Sequence, residues 1–312
     1  MCVVFAWGLA MTLTQSWALF ADWWAMSLTM AIGSFVAGST PAGGGAVAFP
    51  VFTKILAVEA HEARTFSLMI QSVGMGMASL YILMRRIPIY QKVIVTVVPG
   101  GIAGMTLGAL FLHLPFPYPR IFFTCMVAMF GIAYHISHWF LKHEPDSLGH
   151  RWERHSPWHF GVAGLIGGIL VSQCGSGIDM VSFIVMTLAY GMHERKAIPT
   201  SVIIMTLLSL YGFFWFGAIE ESIVTEWDYW AVCVPIVAAG APLGAWFISM
   251  VGRKWILTAL TLLILGDLVS TLILIDLSAQ AGKVMIVLLL LSGSVFAVML
   301  RWRHRERSEP RI

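Results

Sequence analysis

Thirty-one consecutive residues, Trp23–Thr53, carry no charged side chain, and near their middle they are broken by Pro41 and a run of three glycines, Gly43-Gly44-Gly45. As one straight helix this stretch would be about 46 Å long, well beyond a hydrocarbon core of roughly 30 Å. Each arm alone is too short to span. A second stretch, Phe160–Met192, has the same form and breaks around Gln173–Gly177. Each segment is therefore either one kinked crossing or a hairpin that enters and leaves on the same side.

Uncharged runs recur along the rest of the chain: Thr65–Met84, Val93–Leu112, Ile121–Leu141, Ala197–Ile219, Tyr229–Gly252, Trp255–Gly266 and Val284–Leu300. Most are long enough for a membrane helix. Only 11% of residues are charged, against about 25% in soluble domains. No segment alternates apolar and polar residues as a barrel strand would. These features predict an all-α polytopic membrane protein. The net charge of +3 comes from residues flanking spans, which are topology signals and not a nucleic-acid surface. Cys2, Cys125, Cys174 and Cys233 lack paired or metal spacing, so neither disulfides nor a bound metal is expected, and no cofactor. Residues 1–22 lack a basic start and predict an extra membrane or interfacial helix, not a cleaved signal.

The two broken stretches are copies. Gly43-Gly44-Gly45 precedes His61-Glu62-Ala63-Arg64 by the same interval that separates Gly175-Ser176-Gly177 from His193-Glu194-Arg195-Lys196. Further on, Pro99, Gly104 and Gly108 match Pro235, Gly240 and Gly244 at a slightly larger offset. Two halves follow, residues 23–141 and 159–275, with a last transmembrane helix over 276–300 and a basic tail over 301–312. Lys and Arg positions bear on their orientation. With both broken segments as hairpins, 15 of the 19 Lys and Arg fall on one side, including Arg85, Arg86, Lys92, Arg195, Lys196, Arg253, Lys254, the polar linker 142–158 and the tail. The positive-inside rule makes that side cytoplasmic. Each half then has a hairpin plus three crossings, so the halves become inverted repeats whose breaks meet near the midplane. Trp23, Trp24, Trp227, Tyr229 and Trp230 suit an interfacial belt.

The breaks are the candidate site. Glycines let the backbone unwind and approach a ligand. The arm after each break starts a helix whose first N–H groups lack intrahelical partners and carry the positive dipole end. Two such ends facing each other make an anion site with no buried Arg or Lys. Ser39, Thr40, Ser172, Gln173 and Ser176 add neutral donors beside Gly43, Gly44, Gly45, Gly175 and Gly177. The bland reading is that the glycines only permit close helix packing. Asp179 either caps its short helix or acts in coupling, since its carboxylate competes with an anion for one dipole end and protonation relieves that repulsion. Asp267 interrupts an apolar run and reads as structural. His135 and His138 read as interfacial, and the His143, His150, His155 and His159 cluster as solvated linker. The His-Glu motifs suit the first turns of their helices, with a gate salt bridge between the copies as the sharper alternative.

The Gly43–Pro50 run, its second copy and the two-half layout resemble the sulfite exporter TauE/SafE family of membrane permeases, over about Met30–Leu300. The second copy departs at Ser176 and at Ser182, which stands where the first copy has Pro50. The resemblance implies a transporter of sulfur-containing anions such as sulfite and organosulfonates, in the cell (inner) membrane; protons as coupling partner are the expectation drawn from Asp179 alone. A passive anion channel and an intramembrane serine hydrolase using Ser176 are the alternatives.

Overall fold

The computed structural model describes residues 2–41, 51–52, 56, 58–112, 114–115, 117–140, 157–221, 223, 226–251, 253–274 and 279–308. Every regular element among them is helical. The chain forms α1 (Cys2–Leu13), a short 3-10 turn, α2 (Leu19–Asp22), α3 (Trp24–Ser39), α4 (Ala60–Met84), α5 (Gln91–Phe111), α6 (Tyr118–Phe140), α7 (Pro157–Cys174) and α8 (Ile178–Ile184). α9 (Glu194–Phe214), α10 (Glu226–Met250), α11 (Arg253–Leu274) and α12 (Ala279–Ser308) follow, and π-helical turns at Val185–Ala189 and Trp215–Ile219 extend α8 and α9. Among the described residues, five helices are long and apolar enough to cross a membrane, or six if the pair bent by 81° at Trp23 counts as one span. The protein is a multi-pass α-helical membrane protein.

The N-terminal stretch is not one helix. α1 lies against α10, where the Trp7 indole donates to the Ala231 carbonyl at 2.6 Å, and a turn at Gln15–Ala18 separates it from α2. At twelve residues α1 reaches about 18 Å and cannot span. At the other terminus α12 does not stop at residue 300 but continues through the basic residues to Ser308.

Glycine and other small residues set the helix pairing. α5 and α7 run parallel, with Gly164 against the Val97 carbonyl, Gly168 against that of Gly101, and Gly108 against Ser172. α3 and α10 run parallel in the same manner through Ser34 with Gly240, Gly38 with Ala241, and Phe35 with Gly244. Without a hydrophobic drive between helices in lipid, such backbone approach supplies the dispersion contact that holds them. The helix carrying the matched Pro-Gly-Gly pattern in one half thus packs on the helix that precedes the break in the other.

Contacts fix the directions. α4 runs parallel to α10, as Glu62 meets Tyr229 and Gly74 meets Val237. α9 runs parallel to α5, with Tyr90 bonded to Thr200 and Thr106 to Tyr211. α4 and α9 are antiparallel, with Leu68 beside Gly212 and Ser79 bonded to Thr206 at 2.8 Å. So α3, α4 and α10 point one way and α5, α7 and α9 the other. One end of the bundle gathers Arg85, Arg86, Lys92, Arg195 and Lys196, and there Arg195 donates to the Val251 carbonyl beyond α10. The opposite end gathers Glu59, Glu62, Glu220, Glu221, Glu226 and Asp228. α6 and α12 run parallel through the Cys125–Met285 and Met129–Gly293 contacts, so both end at the basic side.

The second broken segment turns back on itself. The Tyr190 ring, after α8, stacks on Phe160 near the start of α7 at 4.9 Å, and its hydroxyl bonds His159 Nδ1 at 2.9 Å. A single kinked crossing would put these residues on opposite sides. The described ends of the first segment also converge on one aromatic cluster: Trp23 lies 4.6 Å from Tyr229, and Phe52 lies 5.0 Å from Phe66, itself 6.1 Å from Tyr229.

Candidate functional site

α7 ends because Gly175 takes a left-handed conformation, φ +72°, the usual way a helix is stopped by glycine. Gly177 follows at φ +132°, a region that side chains other than glycine avoid. Three residues suffice to reverse the chain. Ile178 then packs on Gly101 and Gly167, halfway along α5 and α7, with an ideal Cβ at Gly167 only 2.7 Å from Ile178. α8 therefore begins beside the middle of α5 and α7, while the reversal itself lies about two turns closer to the acidic end, level with the last turn of α5 and beside Arg64 and Ser67 of α4.

The residues that hold this break come from α4. Gln71 Nε2 donates to the Gly175 carbonyl at 2.9 Å and to Ser67 Oγ at 2.6 Å, and Ser67 Oγ donates to the same carbonyl at 3.2 Å. Arg64 Nη1 donates to the Ser172 carbonyl at 3.3 Å, one of the carbonyls that α7 leaves without an intrahelical partner. Its guanidinium also stacks over the Phe216 ring at 4.2 Å. A cation at a helix C-terminus and over an aromatic face is favourable on both counts. Ser67 and Gln71 did not stand among the sequence candidates, and Arg64 did so only within the His-Glu motif, as part of a gate salt bridge. Their spacing, i, i+3, i+7, puts them on one face of α4 and was the available signal.

Three buried polar atoms in this region lack a hydrogen-bond partner among the described residues: Arg64 Nε, Gln71 Oε1 and Asp179 Oδ2. Deeper along the same interface, the fully buried Ser209 Oγ is also unpartnered. Orphaned polar atoms in a native interior call for an explanation, and a bound ligand, ion or water is one of the standard ones.

The sequence candidates divide. Asp179 is fully buried, and its Oδ1 accepts the Gly177 and Met180 N–H groups at 3.2 and 3.0 Å. It caps α8, so two of the N–H groups expected to greet an anion are already engaged by the protein's own carboxylate. Gln173 points elsewhere: Nε2 donates to the Leu112 and Gly108 carbonyls at 2.6 and 3.2 Å, and Oε1 accepts the Leu114 N–H at 3.2 Å. It closes the C-terminus of α5 and is not a donor facing the break. Ser172 donates back to the Ile169 carbonyl at 2.7 Å, and Ser39 and Thr40 both donate to the Val36 carbonyl. Ser176 is buried at the turn, with no histidine bonded to it among the described residues. Gly43, Gly44 and Gly45 lie outside the described residues.

Among the described residues the histidines of the His-Glu motifs pair locally. His61 pairs with Glu59 at 3.2 Å, both exposed, and His193 lies 3.6 Å from its neighbour Glu194. An exposed pair of this kind contributes about 0–1 kcal/mol. His135 joins α6 to α11, bonding the Gly131 carbonyl at 2.7 Å and Thr261 at 3.1 Å. His138 and Asp267 have no described side chain; His143, His150 and His155 lie outside the described residues, and the described end of the linker, Pro157 and Trp158, already belongs to α7.

A cavity of about 590 Å³ opens between α6, α7, α8 and α12, lined by residues such as Met126, Ile166, Val181 and Leu291. Its wall is apolar and it does not include the break, so it does not suit an anion.

No curated protein and no solved structure matches the chain. The model of one family, described as Sulfite exporter TauE/SafE, matches residues 25–266, from the start of α3 into α11. That match takes in both broken segments and more than three-quarters of the sequence, so the chain belongs to the sulfite exporter TauE/SafE family.

Proposed function

We propose that this protein is a secondary transporter of small sulfur oxyanions, sulfite or organosulfonates, across the cytoplasmic membrane, and that it is not an enzyme. The observation that carries the proposal is the second break: a membrane segment that reverses inside the bundle, restarts as α8 beside the middle of α5 and α7, and is buried among polar atoms that lack partners among the described residues. Irregular backbone at membrane depth is tolerated where it is enclosed by protein or lines a cavity, and transporters build their sites there. The family gives the coarse activity, transport. The sulfur oxyanion is the finer reading, carried over from the family's description.

In this reading residues 23–141 and 159–275 act as inverted repeats. The opposed directions of α3, α4 and α5 against α7, α9 and α10 support it, because these are the helices matched by the two copies. The basic end is cytoplasmic under the positive-inside rule and carries the linker 142–158 and the tail 301–312. The breaks, with Ser39, Thr40, Gly43, Gly44, Gly45, Ser172, Gly175, Ser176 and Gly177, form the moving and binding region. Asp179 couples the proton: protonation removes a negative charge next to the incoming anion, so anion and proton move in the same direction. Because Oδ1 already caps α8, the unpartnered Oδ2 is the atom that takes the proton.

Stability of the purified protein in detergent tests the substrate class. A ligand that binds only the folded state at a hundred times its dissociation constant adds about 2.7 kcal/mol. Sulfite, thiosulfate or ethanesulfonate should raise the unfolding temperature at constant ionic strength, and chloride should not. Equal responses to all four anions would reject a specific oxyanion site.

A further inference from the structure

We propose that Arg64 is the cationic receptor of the transported anion, gripping two oxygens of a sulfonate-type group through its Nε–Nη2 edge. This assignment rests on the transport reading above and replaces the paired helix dipoles as the main source of positive charge.

Three observations carry it. First, Arg64 is largely enclosed by protein and forms no ion pair within 4.0 Å among the described residues. Glu220 and Glu226 act on it only from a distance, and Glu220 Oε1 is engaged by the Trp215 indole at 2.8 Å. Residues 42–57, which precede α4 in the chain, contain no carboxylate. A cation enclosed in a membrane protein with no carboxylate in direct contact is disfavoured relative to one that an anion joins. Second, the guanidinium is held rigidly on two sides. Nη1 is fixed on the Ser172 carbonyl and the flat face on Phe216, which leaves the Nε side, where Nε itself is buried and unpartnered. Nε and Nη2 are parallel donors spaced for two oxygens of one group, a fork that a spherical halide cannot match. Third, Arg64 sits on the face of α4 that holds the break through Ser67 and Gln71, so an anion at Arg64 is coupled to the turn that must move.

The gate role that the His-Glu-x-Arg motif suggested is thereby replaced. Among the described residues Arg64 makes no ion pair within 4.0 Å with the other copy, and its hydrogen bond is to a backbone carbonyl of the break.

The test measures binding by thermal stability, with ethanesulfonate and chloride as probes, on wild type, Arg64→Lys and Arg64→Gln. Lysine keeps a point charge and loses the fork. Removing a charge-assisted bidentate contact should weaken ethanesulfonate binding about 10- to 100-fold in Arg64→Lys and at least as much in Arg64→Gln. If Arg64 only caps α7, Arg64→Gln would lower stability equally with and without anion, and Arg64→Lys would bind as wild type does; either result overturns the assignment. No oxyanion response in wild type would overturn the transport reading and this assignment together, whereas a response kept in Arg64→Lys overturns the assignment alone. A measurement on wild type covers poorly folding variants. Phenylglyoxal modification of Arg64, mapped by mass spectrometry, should slow at least about tenfold in saturating ethanesulfonate relative to chloride. An unchanged rate would overturn the proposal.

Discussion

Replacing Gly175 by alanine should damage the protein far more than the loss of two hydrogens suggests. An ideal Cβ at this position would lie 2.5 Å from the Arg64 carbonyl oxygen and 2.9 Å from Ser67 Cβ. The first is backbone of α4 and cannot rotate away. The left-handed φ of +72° adds about 1–2 kcal/mol for any residue with a Cβ. Overpacking of this kind adds about 1–3 kcal/mol, for a total of roughly 2–5 kcal/mol. If the break shifts to relieve the clash, the Gly175 carbonyl loses its Ser67 and Gln71 donors, at about 0.5–1.5 kcal/mol each. Gly161→Ala is the control, because a Cβ there meets nothing within 4 Å. It should be neutral or stabilising by up to about 1 kcal/mol, the helix-propensity difference. Reversible unfolding in mixed detergent micelles measures both, and proteoliposome uptake measures function. Gly175→Ala should lose stability and transport, while Gly161→Ala keeps both. A Gly175→Ala protein as stable and active as wild type would mean that the break does not lie against α4.

Gly177→Val and Gly44→Val should insert into the membrane and fail to transport, as followed by membrane fractionation and uptake; normal uptake in both would leave these glycines a packing role at most. Single cysteines at His150 and Arg307, in a background without Cys2, Cys125, Cys174 and Cys233, should be labelled from the same side, and labelling from opposite sides would reject the hairpin topology. Asp179→Asn should keep anion binding and lose the dependence of uptake on a pH gradient. Unchanged pH dependence would leave Asp179 as the cap of α8 and nothing more.

Much of this architecture is legible in the chain. The uncharged runs demand membrane helices, and the glycine breaks within two of them mark where the backbone departs from helix. The count of Lys and Arg favours hairpins, and the stacking of Tyr190 on Phe160 is the geometry a hairpin produces. What the sequence could not display is which helix faces the break. Gln173 has the composition of a ligand donor and the position of one, yet the carbonyls at the end of α5 need donors and lie closer. Arg64 follows His61 and Glu62, so it reads as part of a helix's first turn at the membrane edge; only the packing of α4 on the end of α7 turns it inward. Asp179 has two readings in the sequence because a carboxylate in a first turn caps by default, and its two oxygens divide between them: Oδ1 caps, Oδ2 is unpartnered. The bend that separates α1 from α2 escaped because an apolar run carries no signal of where it folds at an interface.

Counterflow in proteoliposomes tests the central claim most directly. Vesicles containing the purified protein and loaded with unlabelled sulfite are diluted into a trace of labelled sulfite. A carrier with one alternating site exchanges the label inward, so the labelled anion accumulates transiently above its outside concentration, and excess ethanesulfonate outside suppresses the overshoot. A flux that never overshoots and does not saturate would make the protein a passive channel, and the absence of any protein-dependent sulfite or sulfonate flux would contradict the account.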